Sequence, residues 1–318
     1  MKSALSFITD NSSRLAKSAA LASMSVAAVL VAIKVWASWR TGSSAMLGSL
    51  ADSALDLVAS LTTFFGVWIA AFPADRDHRF GHGKAEAVAA MVQVMLIGVS
   101  IVLILLHSVR QLTGGVKVQA PAEGIGVSLV AIALTLGLLA WQRYVLSRTG
   151  SVAIRTDHLH YQSDMLLNLA VIAALALEGF AGLTGADPLF AFFIAAWLGY
   201  GAFRAAGEAV DQLMDKEWPE DRRQRLVELV AQHPELSNLH DLRTRTSGTR
   251  DFAQFHIQMD PDLTVAKAHD IIERVEHDLG RQMPGTELFI HIDPLGYKDT
   301  DNPLVEEDEF ARLEKKTP

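Results

Sequence analysis

The sequence predicts a membrane-embedded bundle of six α-helices followed by a small α+β domain. Two observations predict it. Half of the 318 residues are hydrophobic, more than a soluble domain of this size needs. The apolar residues are also gathered into long runs in the first two thirds of the chain. A bilayer core of about 30 Å takes roughly 20 helical residues. Six runs reach or approach that length, near 17–39, 46–72, 86–109, 124–146, 159–181 and 188–206.

The first run follows Lys2, Arg14 and Lys17 without a small-residue cleavage site after it, and is read as an uncleaved first helix. Basic residues set the topology. Lys2, Arg14, Lys17, Arg76, Arg79, Lys84, Arg148 and Arg155 flank one side, whereas the other has Arg40, Arg110 and Lys117. The positive-inside rule therefore places both termini, the 73–85 and 147–157 loops and the carboxy-terminal domain in the cytoplasm.

After Arg204 the pattern changes, and an amphipathic helix is expected over 220–232, with Leu226, Val227, Leu229 and Val230 as its apolar stripe. Strands follow at 238–246 and 251–260, the second alternating Phe255, Ile257 and Met259 against Gln254, His256 and Gln258. Thr264 opens a helix that Gly280 closes. A last strand, 286–293, is expected to turn Leu288, Ile290 and Ile292 inward and Phe289, His291 and Asp293 outward. The order α-β-β-α-β defines a two-layer domain over 212–296. The tail 297–318 is acidic and expected to be loose.

Ionisable residues inside the apolar runs carry the chemistry. Asp52 and Asp56 interrupt the run from Met46 to Phe72, and His160 and Asp164 the run from Leu159 to Phe180. Each pair has i, i+4 spacing and shares one helix face. Carboxylates are costly in hydrocarbon and commonly mark a transport path. The plain alternative is an interhelical hydrogen bond or ion pair. Four such groups, with no Lys or Arg read at matching depth, favour a divalent cation. Asn168 extends the His160–Asp164 face and is read as polar lining or a helix–helix contact, not a ligand.

The loop PADRDHRFGHGKAE (73–86) places Asp75, His78 and His82 at spacings of three and four, which fits either a second metal site or a solvated charged loop. In the α+β domain, His256, His291 and Asp293 share a sheet face with His240 on the neighbouring strand, again either ligands or solvated polar residues. His107, His233 and His277 are read as interfacial or surface residues. Cysteine is absent, so any metal is held by carboxylate and imidazole. The net charge of −8 leaves no basic footprint for nucleic acid, and no motif asks for an organic cofactor.

These motifs, SLADSALD (49–56), PADRDHRFGHGKAE, LHYQSD (159–164), HDLRTR (240–245) and FIHIDP (289–294), resemble the cation diffusion facilitators over residues 14 to 296, specifically the bacterial homodimeric zinc/iron efflux branch. The resemblance implies a six-helix transmembrane domain, a metallochaperone-like cytoplasmic domain and export of divalent metal against inward proton flow. Zn²⁺, Fe²⁺, Cd²⁺, Co²⁺ or Mn²⁺ would be both substrate and regulatory ligand. It implies a transport site at Asp52, Asp56, His160 and Asp164 and a loop site at Asp75, His78 and His82. It further implies a binuclear cytoplasmic site at His240, His256, His269, His291 and Asp293, with Lys84 and Asp215 as an interprotomer charge pair. Ile292 stands where that family often has glutamine. Two rival readings are a metal-binding membrane sensor or scaffold that moves no ion, and an intramembrane aspartyl protease. The first has no need of the four intramembrane groups, and the second needs a GxGD-like segment that the chain lacks.

Overall fold

Small residues line the inside of the membrane-type bundle and large apolar ones cover its outside, the reverse of a water-soluble core. The computed structural model describes residues 2–41, 44–114, 122–181, 186–297 and 309–310. Its helices are α1 (Lys2–Thr41), α2 (Ser44–Ala70), α3 (Ala85–Gly114), α4 (Ala122–Thr149), α5 (Val152–Ala181) and α6 (Ala186–Leu213). Ala16, Ala19, Ala20, Ala59, Ala90 and Ala209 are buried, while Trp39, Phe193, Tyr200 and Phe203 are exposed. Lipid gives helices no hydrophobic reason to associate, so close backbone approach through small residues replaces it. Gly66 of α2 shows this: a Cβ there would lie 2.3 Å from the Ala89 Cβ of α3.

Among the described residues five helices are long and apolar enough to cross a membrane: α1, α2, α3, α4 and α6. The other long helix, α5, has 30 residues but carries Arg155, Asp157, Asp164 and Glu178. It is packed against α2, α3 and α4. Its start lies seven residues before the apolar run begins at Leu159, because Asp157 is drawn into a buried polar network and does not mark an aqueous loop.

The chain divides into two units, Ser12–Val210 and Asp211–Pro318 with Met1–Asn11. The second contains α7 (Glu220–Val230), β1 (Ser237–Ser247), β2 (Arg250–Met259), α8 (Val265–Gln282) and β3 (Thr286–Pro294). Acidic Glu220 and Asp221 sit in the first turn of α7, where the helix dipole favours them. The sheet order is β1-β2-β3, with β1 antiparallel and β3 parallel to β2. Leu226, Val230, Phe255, Ile257, Val275 and Leu279 are central to the core.

Three expectations change here. Thr264 caps α8 by accepting the Lys267 N–H at 3.3 Å, but the helix passes Gly280 and ends at Gln282, since Leu279 and Met283 are both held in the core. Ile292 is 38% exposed whereas Asp293 is buried, because the imidazoles of His240 and His256 cover the carboxylate. The tail lies largely outside the described residues. Of its three described positions, Tyr297 accepts from Gln258 Nε2 through its carbonyl at 2.6 Å, Phe310 packs against the core and Glu309 meets Arg223 at 3.4 Å.

Candidate metal centres

Among the described residues three groups bring metal-ligating atoms within 4.8 Å of one another. The first joins α2 to α5. His160 Nε2 lies 3.1 Å from Asp56 Oδ1 and 3.8 Å from Asp164 Oδ2, with the imidazole buried and both carboxylates partly open. An imidazole nitrogen between two carboxylate oxygens offers a mixed N/O set for a cation of zinc's class. Asp52, one turn from Asp56 on the same helix, stands outside this tight group. Its charged neighbours are Asp56, Lys34 and His107, so His107 belongs to the surroundings of the site. Asn168 Nδ2 donates to the Asp164 carbonyl at 2.9 Å.

Hydrogen bonds behind the cluster fix α5. The Ser163 hydroxyl donates to the His160 carbonyl at 2.6 Å, and the Tyr161 hydroxyl pairs with Ser60 of α2 at 2.8 Å. One turn earlier, fully buried Asp157 accepts from Ser23 of α1, from Gln93 of α3 at 2.8 Å and from Gln142 of α4 at 2.7 Å. Thr63 of α2 donates to Gln93 Oε1 at 2.8 Å. A buried carboxylate needs such donors, and this one ties α1, α3 and α4 to α5. The sequence reading passed over it because Asp157 precedes the apolar run. Lys34 was also passed over. Its Nζ donates to Ser53 Oγ at 2.6 Å, and its electrostatic neighbours are Asp56, Asp52 and Asp164. The expectation that no basic residue shares the depth of the site is therefore wrong. A lone lysine in the first apolar run was the available signal.

The second group is the loop between α2 and α3. The Asp75 carboxylate accepts the backbone N–H groups of His78 at 2.6 Å and Asp77 at 3.0 Å, which folds the loop into a tight turn. His78 Nδ1 and His82 Nε2 each lie 3.3 Å from the same carboxylate. Gly81 supplies a positive φ of 83° that brings His82 round. The backbone hydrogen bond from His78 is the main cause that holds the Asp75 pKa below the ordinary aspartate value, with the Asp77 N–H and the two imidazoles adding to it.

The third group lies in the sheet. His240, His256 and His291 occupy one cross-strand row, His240 opposite His256 and His256 opposite His291. Asp293 Oδ2 lies 3.1 Å from His256 Nδ1 and 3.5 Å from His240 Nε2. His291 is more open, its Nε2 3.5 Å from Asp293 Oδ1, with its ring 4.5 Å from that of His256. Asp241, which the sequence reading left out, points to the same place, its Oδ2 3.8 Å from His256 Nε2. It adopts a positive φ of 47° at an irregularity in β1, a cue invisible in composition. His269 sits exposed on α8 and is not gathered into this group; its charged neighbour is Glu276. Asp215 meets Arg245 at 3.5 Å, and Lys84 precedes α3.

Two domain families match the chain: the cation efflux transmembrane domain over residues 20–214, and the cytoplasmic domain of the cation efflux proteins over residues 218–295. The cation-efflux pump FieF of Yersinia pestis (strain Pestoides F) is 45% identical over 281 residues, 88% of this chain and 93% of that protein. The FieF pump of Yersinia pseudotuberculosis serotype IB (strain PB1/+) matches to the same extent. Among solved structures, the metal-bound carboxy-terminal domain of the CzcD transporter from Thermotoga maritima is 25% identical, covering 25% of this chain and 93% of its own, with a TM-score of 0.24. With both of its characteristic domains matched and a relative this similar over nearly its whole length, the chain belongs to the cation diffusion facilitator family, as a multi-pass membrane protein.

Proposed function

We propose that the protein exports divalent metal cations from the cytoplasm across the bacterial inner membrane in exchange for protons, with Zn²⁺ as the preferred substrate. The observation that carries this reading is the Asp56–His160–Asp164 group between two helices of the bundle. Asp52 completes the set as a fourth ligand that swings in when metal arrives. Ligation requires deprotonated groups, so protons arriving from outside displace the metal. Protonation also eases the return of an empty carboxylate cluster through the apolar barrier. Membrane potential opposes export of positive charge by about 2.3 kcal/mol per elementary charge per 100 mV. Proton entry offsets that cost, whereas a passive channel would run the wrong way.

In this reading α5 is the sixth span, both termini are cytoplasmic, and residues 1–211 form the transport domain. Residues 212–296 form a dimerisation and metal-binding domain, where His240, His256, His291 and Asp293 take regulatory metal with His269. Asp75, His78 and His82 form an accessory loop site, and Lys84 and Asp215 pair between protomers of a homodimer. The family resemblance and the two compact clusters outside the bundle support these assignments.

Purified protein in lipid vesicles tests the proposal. Zn²⁺ flux should rise with an opposing proton gradient and exceed that of competing Fe²⁺, Mn²⁺, Co²⁺ and Cd²⁺. Asp56→Ala and Asp164→Ala should each abolish flux and leave the protein folded. Full proton-coupled flux in either variant, or flux indifferent to a collapsed gradient, would overturn it.

A further inference from the structure

We propose that Lys34 is a resident counter-cation of the transport site, a fixed ammonium that tunes the carboxylate cluster to the charge of a divalent ion and keeps its affinity low enough for release. The inference rests on the transport-site reading above and deepens it. Lys34 is the one charged residue between Lys17 and Arg40 in the sequence. It is half-buried on α1, inside a segment long and apolar enough to span a membrane. An ammonium at such a position is costly without partners.

Its partner is specific. Nζ donates to Ser53 Oγ at 2.6 Å, and Ser53 is buried on α2 next to Asp52 and one turn before Asp56. The carboxylates that act on Lys34 are Asp56, Asp52 and Asp164, the three acidic members of the expected site. Three carboxylates beside one ammonium leave two negative charges, which a divalent cation neutralises when the imidazole ligates in its neutral form.

The consequence is physical. Without the ammonium, three carboxylates would hold a dication with one negative charge in excess, and the attraction between unlike charges is strong where water is scarce. Binding would tighten and escape would slow. With it, the metal competes against a cation that is tethered by its own chain and cannot leave. Electrostatic balance of this kind distinguishes ions by charge more than by size.

The test uses the full-length protein in lipid nanodiscs and vesicles. Zn²⁺ affinity of the transport site is read by competition with a fluorescent chelator, as the difference between each protein and the same protein carrying Asp164→Ala. Lys34→Met should tighten that component by about tenfold or more, and lower both KM and kcat for Zn²⁺ flux in similar proportion. Lys34→Arg, which retains the charge, and Ser53→Ala, which removes only the hydrogen bond, should stay within about twofold of the parent affinity. Lys34→Gln provides the same reading if the methionine variant fails to fold, with thermal midpoints recorded for all. Unchanged or weakened Zn²⁺ binding in Lys34→Met or Lys34→Gln, or equal effects of Lys34→Met and Lys34→Arg, would overturn the inference and leave a merely structural lysine. Equal Zn²⁺ binding by the parent and its Asp164→Ala variant would instead overturn the transport-site assignment itself.

Discussion

In the proposed loop site, the Asp75 carboxylate would serve structure and ligation together. Two backbone N–H groups already hold it in place, and His78 and His82 approach it from the other side. Because its folded pKa is depressed, its contribution to the loop's stability is present above the ordinary aspartate value, about 3.9, and is lost only as the pH falls through the lower folded value. The carboxylate is therefore charged throughout the range in which a transporter works. Asp75→Asn should weaken Zn²⁺ binding at the loop, measured as the component removed by His78→Ala with His82→Ala. Unchanged Zn²⁺ binding at the loop in Asp75→Asn would remove the carboxylate from the proposed site. Asp157 makes the opposite use of a carboxylate. Fully buried and surrounded by donors from α1, α3 and α4, it is a fastening for α5 and is not gathered into any of the metal-ligating groups among the described residues.

Helices α2 and α5 must keep their distance and rotation for Asp56 to face His160, and α2 is set in part by its seam with α3. At Gly66 that seam has no room for a methyl group: the added Cβ would also come within 3.2 Å of the Ala85 carbonyl. Gly66→Ala should therefore cost about 1–3 kcal/mol by overpacking and reduce transport although no ligand is touched. Gly137→Ala on α4, where a Cβ meets nothing within 4 Å, is the control and should be tolerated. Equal flux and melting of the two variants would remove the seam from the account. The helices themselves were legible because apolar length and membrane thickness nearly determine each other. The strands were legible from alternation, and β1, β2 and β3 fall within a residue of their expected ends. The clustering of Asp56 with the i, i+4 pair His160 and Asp164 was legible because helical spacing converts directly into a shared face, whereas Asp52 stands outside the tight group. What escaped depends on tertiary partners: Asp157 looked aqueous until donors from three other helices surrounded it, and Asp293 looked exposed until two imidazoles covered it. Lys34 escaped because Ser53 and the carboxylates that act on it lie on other helices.

The chain carries a net charge of −8, so two copies repel one another at long range unless cations gather between them. The proposed homodimer therefore makes its cytoplasmic domains natural metal sensors. A row of three imidazoles across the sheet, backed by buried Asp293 and by Asp241, offers each domain more ligands than one closed site requires. Open His291 and exposed His269 are the members available to a second copy. Metal that binds only the paired state stabilises it by mass action, about 2.7 kcal/mol at a hundredfold excess over its dissociation constant. If closure of the domains biases the helix bundle, the coupling falls in the usual range of about 1–3 kcal/mol, enough to change turnover and too little to replace the proposed transport site. In the full-length protein, Zn²⁺ should raise the thermal midpoint and tighten dimerisation as followed by single-molecule pulldown in dilute vesicles. His256→Ala combined with His291→Ala should abolish both responses, yet leave slow Zn²⁺ flux at saturating metal, because Asp56, His160 and Asp164 are untouched. A double variant that still dimerises on zinc would remove these imidazoles from the clamp. One that loses the membrane site's metal as well would show that the two sites act as a single unit, and that the cytoplasmic domain is part of the path and not its regulator.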